Sequence, residues 1–406
     1  VSSFPEQFSA RDAAQHIALR LKTAGFRALF AGGCVRDRLL NIHPTDVDVA
    51  TSATPEQVKA LFPSAVGVGE AFGVMLVRAS GHTVEVATFR SDGPYSDGRR
   101  PTHVTFSGER EDAMRRDFTI NGLFEDPETG EVIDYVGGQE DLQASQLRAI
   151  GEARERFQED RLRTLRAIRF AARFDLQIES ATLQAIRDFA SDLVGVSQER
   201  IGNEVRRMLA HPTRARAVEL CEELGLAPVM LREPAAKCAL EPLRALPPDA
   251  RIPTALAAWM LGRSTPTGMR KRVCDWRNAL LLSNEETKDL QETLHLCSRI
   301  LEAWSGADMA ARKRLAAAAC FSGALQILVT THPELTDLVQ RAMPELQRTG
   351  IAPEPLVNGD DLVHAGLAPG PRFGRILAEL YDRQLNGTLV SREQALAAIK
   401  ALAEGP

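Results

Sequence analysis

Two aspartates, Asp46 and Asp48, flank Val47 in the segment TDVDVAT, 13 residues after the bare glycine pair Gly32-Gly33. If this segment is a strand, residues two apart share a face, so both carboxylates point one way and Val47 points to a core. Two adjacent carboxylates repel, and without a cation one of them tends to stay protonated. A divalent ion removes the conflict. Mg2+ suits such a place, because it takes one or two carboxylates and completes its shell with phosphate oxygens. Two such ions can activate an attacking hydroxyl and stabilise a leaving pyrophosphate. The alternative is an edge strand with two solvated acids.

The glycines bear on that choice. Gly32 and Gly33 let backbone approach a phosphate closely, and the start of the next helix offers free N–H groups to an anion. Arg36, one turn in, reaches the same anion. A tight turn with a surface arginine is the other reading. A phosphate cradle followed by a carboxylate pair suggests nucleotidyl transfer. Glu85, in TVEVATF, is either a third carboxylate of the metal site or a solvent-facing strand residue.

Further on, RRDFTIN spans 115–121. Arg116 could contact a triphosphate or ribose, and Asp117 an arginine or a sugar hydroxyl; a salt-bridged helix start is the alternative. The segment ERFQEDRLRTLRAIRFAARF, 155–174, reads as one helix. It carries Asp160, Arg163, Arg166, Arg169 and Arg173 along one side and Leu162, Leu165, Ile168 and Ala172 along another. An arginine-rich face suits an anion, although a salt-bridged surface helix fits too. A carboxylate only accepts hydrogen bonds and a guanidinium only donates them. An Asp160–Arg163 pair would therefore match the pairing edges of cytosine and adenine, an amino donor beside a ring-nitrogen acceptor. Uracil and guanine present the reverse order and would leave buried groups unpaired.

These residues need a scaffold. Residues 9–24 read as a helix capped by Ser9, followed by a strand in FRALFAGG, a helix in VRDRLL and a strand in TDVDVAT. A helix begins at Thr54-Pro55 with Gln57 closing a capping box. Two strands meet around Ser80-Gly81-His82 as a hairpin. From Ser91 to Glu109 the pattern fails and reads as a long loop, with the basic run DGRRP at 97–101. Asp134, Gly137 and Asp141 read as turn and cap residues. Beyond about residue 150, Leu, Ala, Arg and Glu recur at helical spacing, with breaks at Pro247-Pro248, Ser264–Gly268, Ser305-Gly306 and Ile351–Pro355. The expectation is a small α/β head followed by an all-helical body.

Composition sets bounds. The 406 residues are too many for one ordinary core. A hydrophobic share of 44% and a charged share of 25% are ordinary for a soluble globular protein. No apolar run is long enough for a membrane span, and the first residues lack a signal-peptide pattern. Six scattered cysteines without a CxxC pair argue against a zinc site or disulfide framework and fit a reducing cytoplasm. The net charge of −5 means that any RNA contact is local.

Together, GGCVRD, TDVDVAT, VEVATFR, RRDFTIN, DYVGGQEDL and EDRLRTLRAIRFAARF resemble, in order and spacing over residues 29–175, the bacterial class II tRNA nucleotidyltransferase and poly(A) polymerase family. The stretch 358–396 is similar to the tail of its CCA-adding members. The resemblance implies an α+β fold: a polymerase-β-like head with a mainly antiparallel sheet over 1–150, then helical neck (151–215), body (216–290) and tail (291–406). It implies Mg2+ on Asp46 and Asp48, with Glu85 as a third carboxylate. Gly33, Arg36 and Arg116 would touch the nucleotide, Asp160 and Arg163 would read the base, and Arg166 and Arg169 would support it. The implied partners are tRNA, through its acceptor arm, with CTP and ATP as substrates and no obligate protein partner. No His-Asp dyad of the phosphohydrolase kind is present. The full-length 91–109 loop disfavours CC-only addition, while A-only addition stays open. An acidic Glu70, where poly(A) polymerases are basic, favours tRNA end repair. Arg206, Arg207, Arg270, Lys271 and Arg272 are candidate tRNA contacts, and a silent RNA-binding protein is the reading from another class.

Overall fold

The structure, a computed structural model, describes residues 9–69, 72–95, 102–265 and 267–404. The run 97–101 and Glu70 therefore lie outside the described residues. The chain divides into two compact units: Val1–Met208 with Arg216–Ala235, and Leu209–Ala215 with Ala236–Pro406.

In the first unit, α1 (Ala10–Thr23) opens on the expected Ser9 cap, with Asp12 completing a capping box. Next come β1 (Ala28–Ala31), α2 (Gly33–Leu39), β2 (Asp48–Thr51) and α3 (Pro55–Leu61), the last with the Thr54–Gln57 box read from sequence. β3 (Val66–Gly69), β4 (Val74–Ala79) and β5 (His82–Thr88) follow, and Ser80 and Gly81 both take positive φ in the β4–β5 turn. With β8 (Leu123–Glu125) and β9 (Val132–Asp134) these strands form one sheet in the order β3-β4-β5-β2-β1-β8-β9. Its pairings are antiparallel except β2 with β5. The expectation of a mainly antiparallel sheet holds, with that one parallel junction at its centre.

Three expectations need correction. Asp46 is not in the strand: β2 begins at Asp48, and the alternation extends outward only as exposed Asp46 and Asp48 around buried Val47. The segment after Ser91 is not wholly irregular, because β6 (Arg90–Asp92) and β7 (Val104–Phe106) pair as an antiparallel ribbon, and α4 (Glu109–Met114) starts at Glu109. The single arginine helix is two. After α5 (Gly138–Gln143), α6 (Ala153–Glu159) ends at Asp160, which takes an extended backbone (φ −147°, ψ 103°), and α7 (Arg163–Phe174) starts anew. The apolar side survives the break, with Leu162, Leu165, Ile168 and Ala172 all buried. α8 (Ser180–Phe189) and α9 (Gln198–Leu209) complete the helices that matter for the site.

Asp134 acts as the turn residue expected, accepting backbone N–H bonds from Val136, Gly137, Gly138 and Gln139. Asp141 is buried and takes the Thr119 hydroxyl and the Arg148 guanidinium. In the second unit the described backbone is mainly helical; besides the expected breaks, the α-helices are also interrupted at 281–283, 317–320, 365–370 and 386–391. Its C-terminal portion has its own core of Val357, Leu362, Ile376, Leu380, Leu389, Ala395 and Ile399, and Asn358 opens a helix there through a capping box with Asp361. Arg272, a candidate surface cation by sequence, is 3% exposed against Trp276. Among the described residues, no single helix is long and apolar enough to cross a membrane.

Candidate active site

Sheet register assembles one wall. Ala31, the last residue of β1, pairs with Asp48, so the turn at Gly32 opens beside that carboxylate. Val49 pairs in parallel with Val86, so Asp48 and Glu85, each one residue earlier, stand side by side on neighbouring strands. Gly32, Gly33, Asp48 and Glu85 thus share the edge of a cavity of about 720 Å³. Asp46 is exposed one residue pair upstream and adds its charge to that around Asp48.

Asp48 retains solvent access, yet the cavity walls crowd it. Burial pushes its carboxyl up to about 6; Glu85 and Asp46 push the same way, and Arg116 opposes them. This excess of negative charge is what a divalent cation would relieve, so the residues fit a hard metal ion. Among the described residues no three His, Cys, Asp or Glu side chains form a ready-made metal cluster. An ion that draws most of its shell from phosphate and water does not require one.

The two glycines differ. Gly32 has φ 71°, and a Cβ there would lie 2.6 Å from Arg116 Nη1. Gly33 has ordinary φ, and the nearest atom its Cβ would meet is Arg36 Nη2 at 3.4 Å. Backbone conformation demands the first glycine, and packing leaves room for a methyl group at the second.

Arginines line the same cavity, each held by an anion or an aromatic ring. Arg116 is gripped by buried Asp112 (Nη2–Oδ2 2.9 Å), donates to the Asn121 carbonyl and lies over Phe124. Arg36 does not stand free at the surface. It is 5% exposed, bonds Asp37 (Nε–Oδ1 2.8 Å) and the Asn121 side chain, and lies 4.4 Å from the Phe174 ring centre. Burial pulls its pKa down while Asp37 supports it. Asp117 is 7% exposed and bonds Arg166 (Nε–Oδ2 2.7 Å) and Asn121 (Nδ2–Oδ1 3.0 Å). Burial would raise its pKa, but the Arg166 charge and these bonds outweigh burial and bring it to about 2. Arg169 bonds buried Glu204 (Nε–Oε2 2.6 Å) and lies 4.2 Å from the centre of Phe170.

The proposed base reader differs from expectation. Asp160 and Arg163 both line the cavity, but their side chains do not pair. Arg163 turns to Glu159 (Nη1–Oε2 2.6 Å) and to the carbonyls of Arg156 and Arg115. Asp160 bonds Arg200 of α9 (Oδ2–Nη2 2.6 Å) and takes the Leu162 N–H. The helix break separates the two: Asp160 caps one helix and Arg163 opens the next.

The cavity also holds residues that sequence reading did not single out: Arg90, Asp92, Tyr95, Arg115, Asn121, Phe170 and Arg200. Tyr95 donates its hydroxyl to Asp92, which also faces Arg90 and Arg115. Asn121 ends the quoted RRDFTIN, and its position two residues after Thr119 was visible; its three arginine and aspartate contacts were not.

The family described as "Poly A polymerase head domain" matches residues 28–148, and "Probable RNA and SrmB-binding site of polymerase A" matches 175–238. The chain is 34% identical over 394 residues to the CCA-adding enzyme of Lacticaseibacillus paracasei, covering 95% of each. To that of Geobacillus stearothermophilus it is 44% identical over 211 residues, 52% of each. Its structure is similar to the Bacillus stearothermophilus CCA-adding enzyme in complex with CTP (TM-score 0.78, 27% identity, 99% of this chain and 98% of that one). It shares the fold of the Thermotoga maritima CCA-adding enzyme complexed with tRNA-CCA (TM-score 0.73, 20% identity, 98% and 97%).

Proposed function

The chain belongs to the CCA-adding enzyme family, and from that membership we propose that it adds the 3′-terminal CCA to tRNA from CTP and ATP, without a nucleic-acid template. The observation that carries this reading is one cavity lined both by carboxylates on adjacent strands and by anchored arginines. Asp46 and Asp48 would hold Mg2+, with Glu85 as a neighbouring third carboxylate. When bound, the metal supplies positive charge to the triphosphate and favours ionisation of the attacking hydroxyl.

The chain's own residues bind and orient. The Gly32–Gly33 turn lets the triphosphate come close to backbone. Arg116 and Arg36, fixed by Asp112, Asp37 and Asn121, meet its negative charge without having to reorganise, which is the condition for electrostatic stabilisation. The tRNA 3′-hydroxyl attacks the α-phosphorus. A new P–O bond forms to the RNA, the bond to the β-phosphate bridging oxygen breaks, and pyrophosphate leaves. Asp160 and Arg163, both lining the cavity, read the edge of C or A, and Arg166 and Arg169 support the nucleotide. Catalysis by this set is positioning and charge complementarity. We assign the head to 1–150, the neck to 151–215, the body to 216–290 and the tail to 291–406.

Replacement of the acids tests the metal assignment. Asp46→Ala and Asp48→Ala should each lower CMP and AMP incorporation by about 1,000-fold while circular dichroism stays unchanged. Full incorporation by either variant removes that residue from the metal site.

A further inference from the structure

We propose that Asn121 is a positioning residue for nucleotide binding, and that its place requires an amide: a neutral group that accepts from Arg36 and donates to Asp117, locking the phosphate-facing arginines to the Asp117–Arg166 pair. This rests on the nucleotidyl-transfer reading above.

Asn121 closes the short turn Thr119–Asn121, where its backbone N–H bonds the Phe118 carbonyl (2.9 Å). Its other polar atoms go to charged side chains of the cavity. Oδ1 accepts from Arg36 Nη1, Nδ2 donates to Asp117 Oδ1 (3.0 Å), and the backbone carbonyl accepts from Arg116 Nη1 (3.2 Å). Asp117 passes the constraint on, because its second oxygen takes Arg166 Nε (2.7 Å). Asn121 is 8% exposed at the cavity edge, so water is a poor substitute for these bonds. Arg36 comes from α2 and Arg166 from α7, and this one residue links both to the turn that follows Arg116.

Residue type follows from the two neighbours. A guanidinium only donates and a carboxylate only accepts, so the group between them must do both. An amide does so in one orientation; turned over, it would set N–H against N–H and oxygen against oxygen. A carboxylate here would oppose Asp117. A hydrocarbon would leave one Arg36 donor and one Asp117 acceptor short of a partner, both buried. Charge adds a second reason. Asp37 already gives Arg36 one anionic partner. A neutral acceptor on the other side orients the guanidinium without cancelling more of its charge, which leaves that charge for a triphosphate.

The test compares wild type, Asn121→Ala and Asn121→Asp, each checked by melting temperature. CTP is supplied with a tRNA lacking its CCA, and ATP with one ending in CC. Asn121→Ala should lower kcat/KM for both nucleotides by about 10- to 100-fold, since bonds to charged groups are lost. The CTP:UTP ratio should stay as in wild type, because no base contact is removed. Asn121→Asp has its own signature in pH. The introduced carboxyl would face Asp117, Arg36 and Arg116, with Arg166 behind Asp117. Burial and Asp117 favour its protonated form, and the arginines oppose that. Protonated, it is again a neutral group that accepts and donates. Its kcat/KM relative to wild type should therefore rise at least about 3-fold between about pH 8 and pH 6, while that of Asn121→Ala stays flat. If one variant does not fold, the other carries the test. Wild-type kcat/KM in folded Asn121→Ala, a changed CTP:UTP ratio, or a relative rate of Asn121→Asp that does not depend on pH overturns the proposal. Wild-type protein that adds no nucleotide at all would instead strike the reading on which the proposal rests.

Discussion

Asp48 stands where its surroundings oppose its own charge. Crowding by the cavity walls, then Glu85 and Asp46, hold its carboxyl up at about 6. In the unfolded chain it would titrate near the ordinary aspartate value of ~3.9. Between those values the folded state binds more protons, so folding stability falls as pH rises from about 4 to 6. A cation that binds the ionised form cancels that loss. Adding millimolar Mg2+ should therefore raise the melting temperature more at pH 7.5 than at pH 5, where protons compete for the same oxygens. An equal rise at both pH values would show that the ion binds elsewhere. Asp117, also buried, behaves oppositely: its pKa near 2 means that its contribution is full above the unfolded value and is lost as acid approaches 2. The Asp-Val-Asp pair was legible in the sequence because strand alternation is local. Arg200 was not, because its contact with Asp160 crosses another helix pair.

At the scale of elements, the β1–α2 turn connects sheet to site. Ala31 faces Asp48 in register, and the next residue must take φ 71° within reach of Arg116. Gly32→Ala should cost about 1–3 kcal/mol from backbone strain and from displacing that guanidinium. Gly33→Ala should leave the melting temperature nearly unchanged, because the new methyl group makes no more than ordinary contact with Arg36, yet raise KM for CTP and ATP, because a bound phosphate would meet it. A thermal melt and initial rates for both variants check this pair. Equal KM for Gly33→Ala and wild type would mean that no phosphate approaches that backbone. The turn was readable from its two glycines. The α6–α7 break was not, because arginines and leucines keep helical spacing straight through Asp160, and only the extended backbone there interrupts it. The β6–β7 ribbon hid for a similar reason: its strands are three residues each, too short for alternation to register.

For the whole molecule, the sheet-bearing unit carries every residue of the candidate site, and the second unit carries a separate helical core. The net charge of −5 gives no general attraction for RNA. Attraction must come from local clusters such as the arginines around the cavity. The α+β order, the helical remainder and those breaks marked by proline or glycine at 247–248, 264–268, 305–306 and 351–355 were visible in composition and period; the breaks at 281–283 and 317–320, which lack both residues, were not. The two-unit division was not, since segment 209–215 belongs with residues far beyond it. The central claim is ordered, self-limiting addition at one cavity, and it is tested most directly with three tRNAs, ending before CCA, after C and after CC, each given CTP alone, ATP alone or both. The account predicts two CMP additions from CTP alone on the first tRNA and one on the second. ATP alone should add a single AMP, only to the third, and both nucleotides together should give a complete CCA that is not extended. A long A tail, A addition alone without any C, or no incorporation in any lane would contradict it.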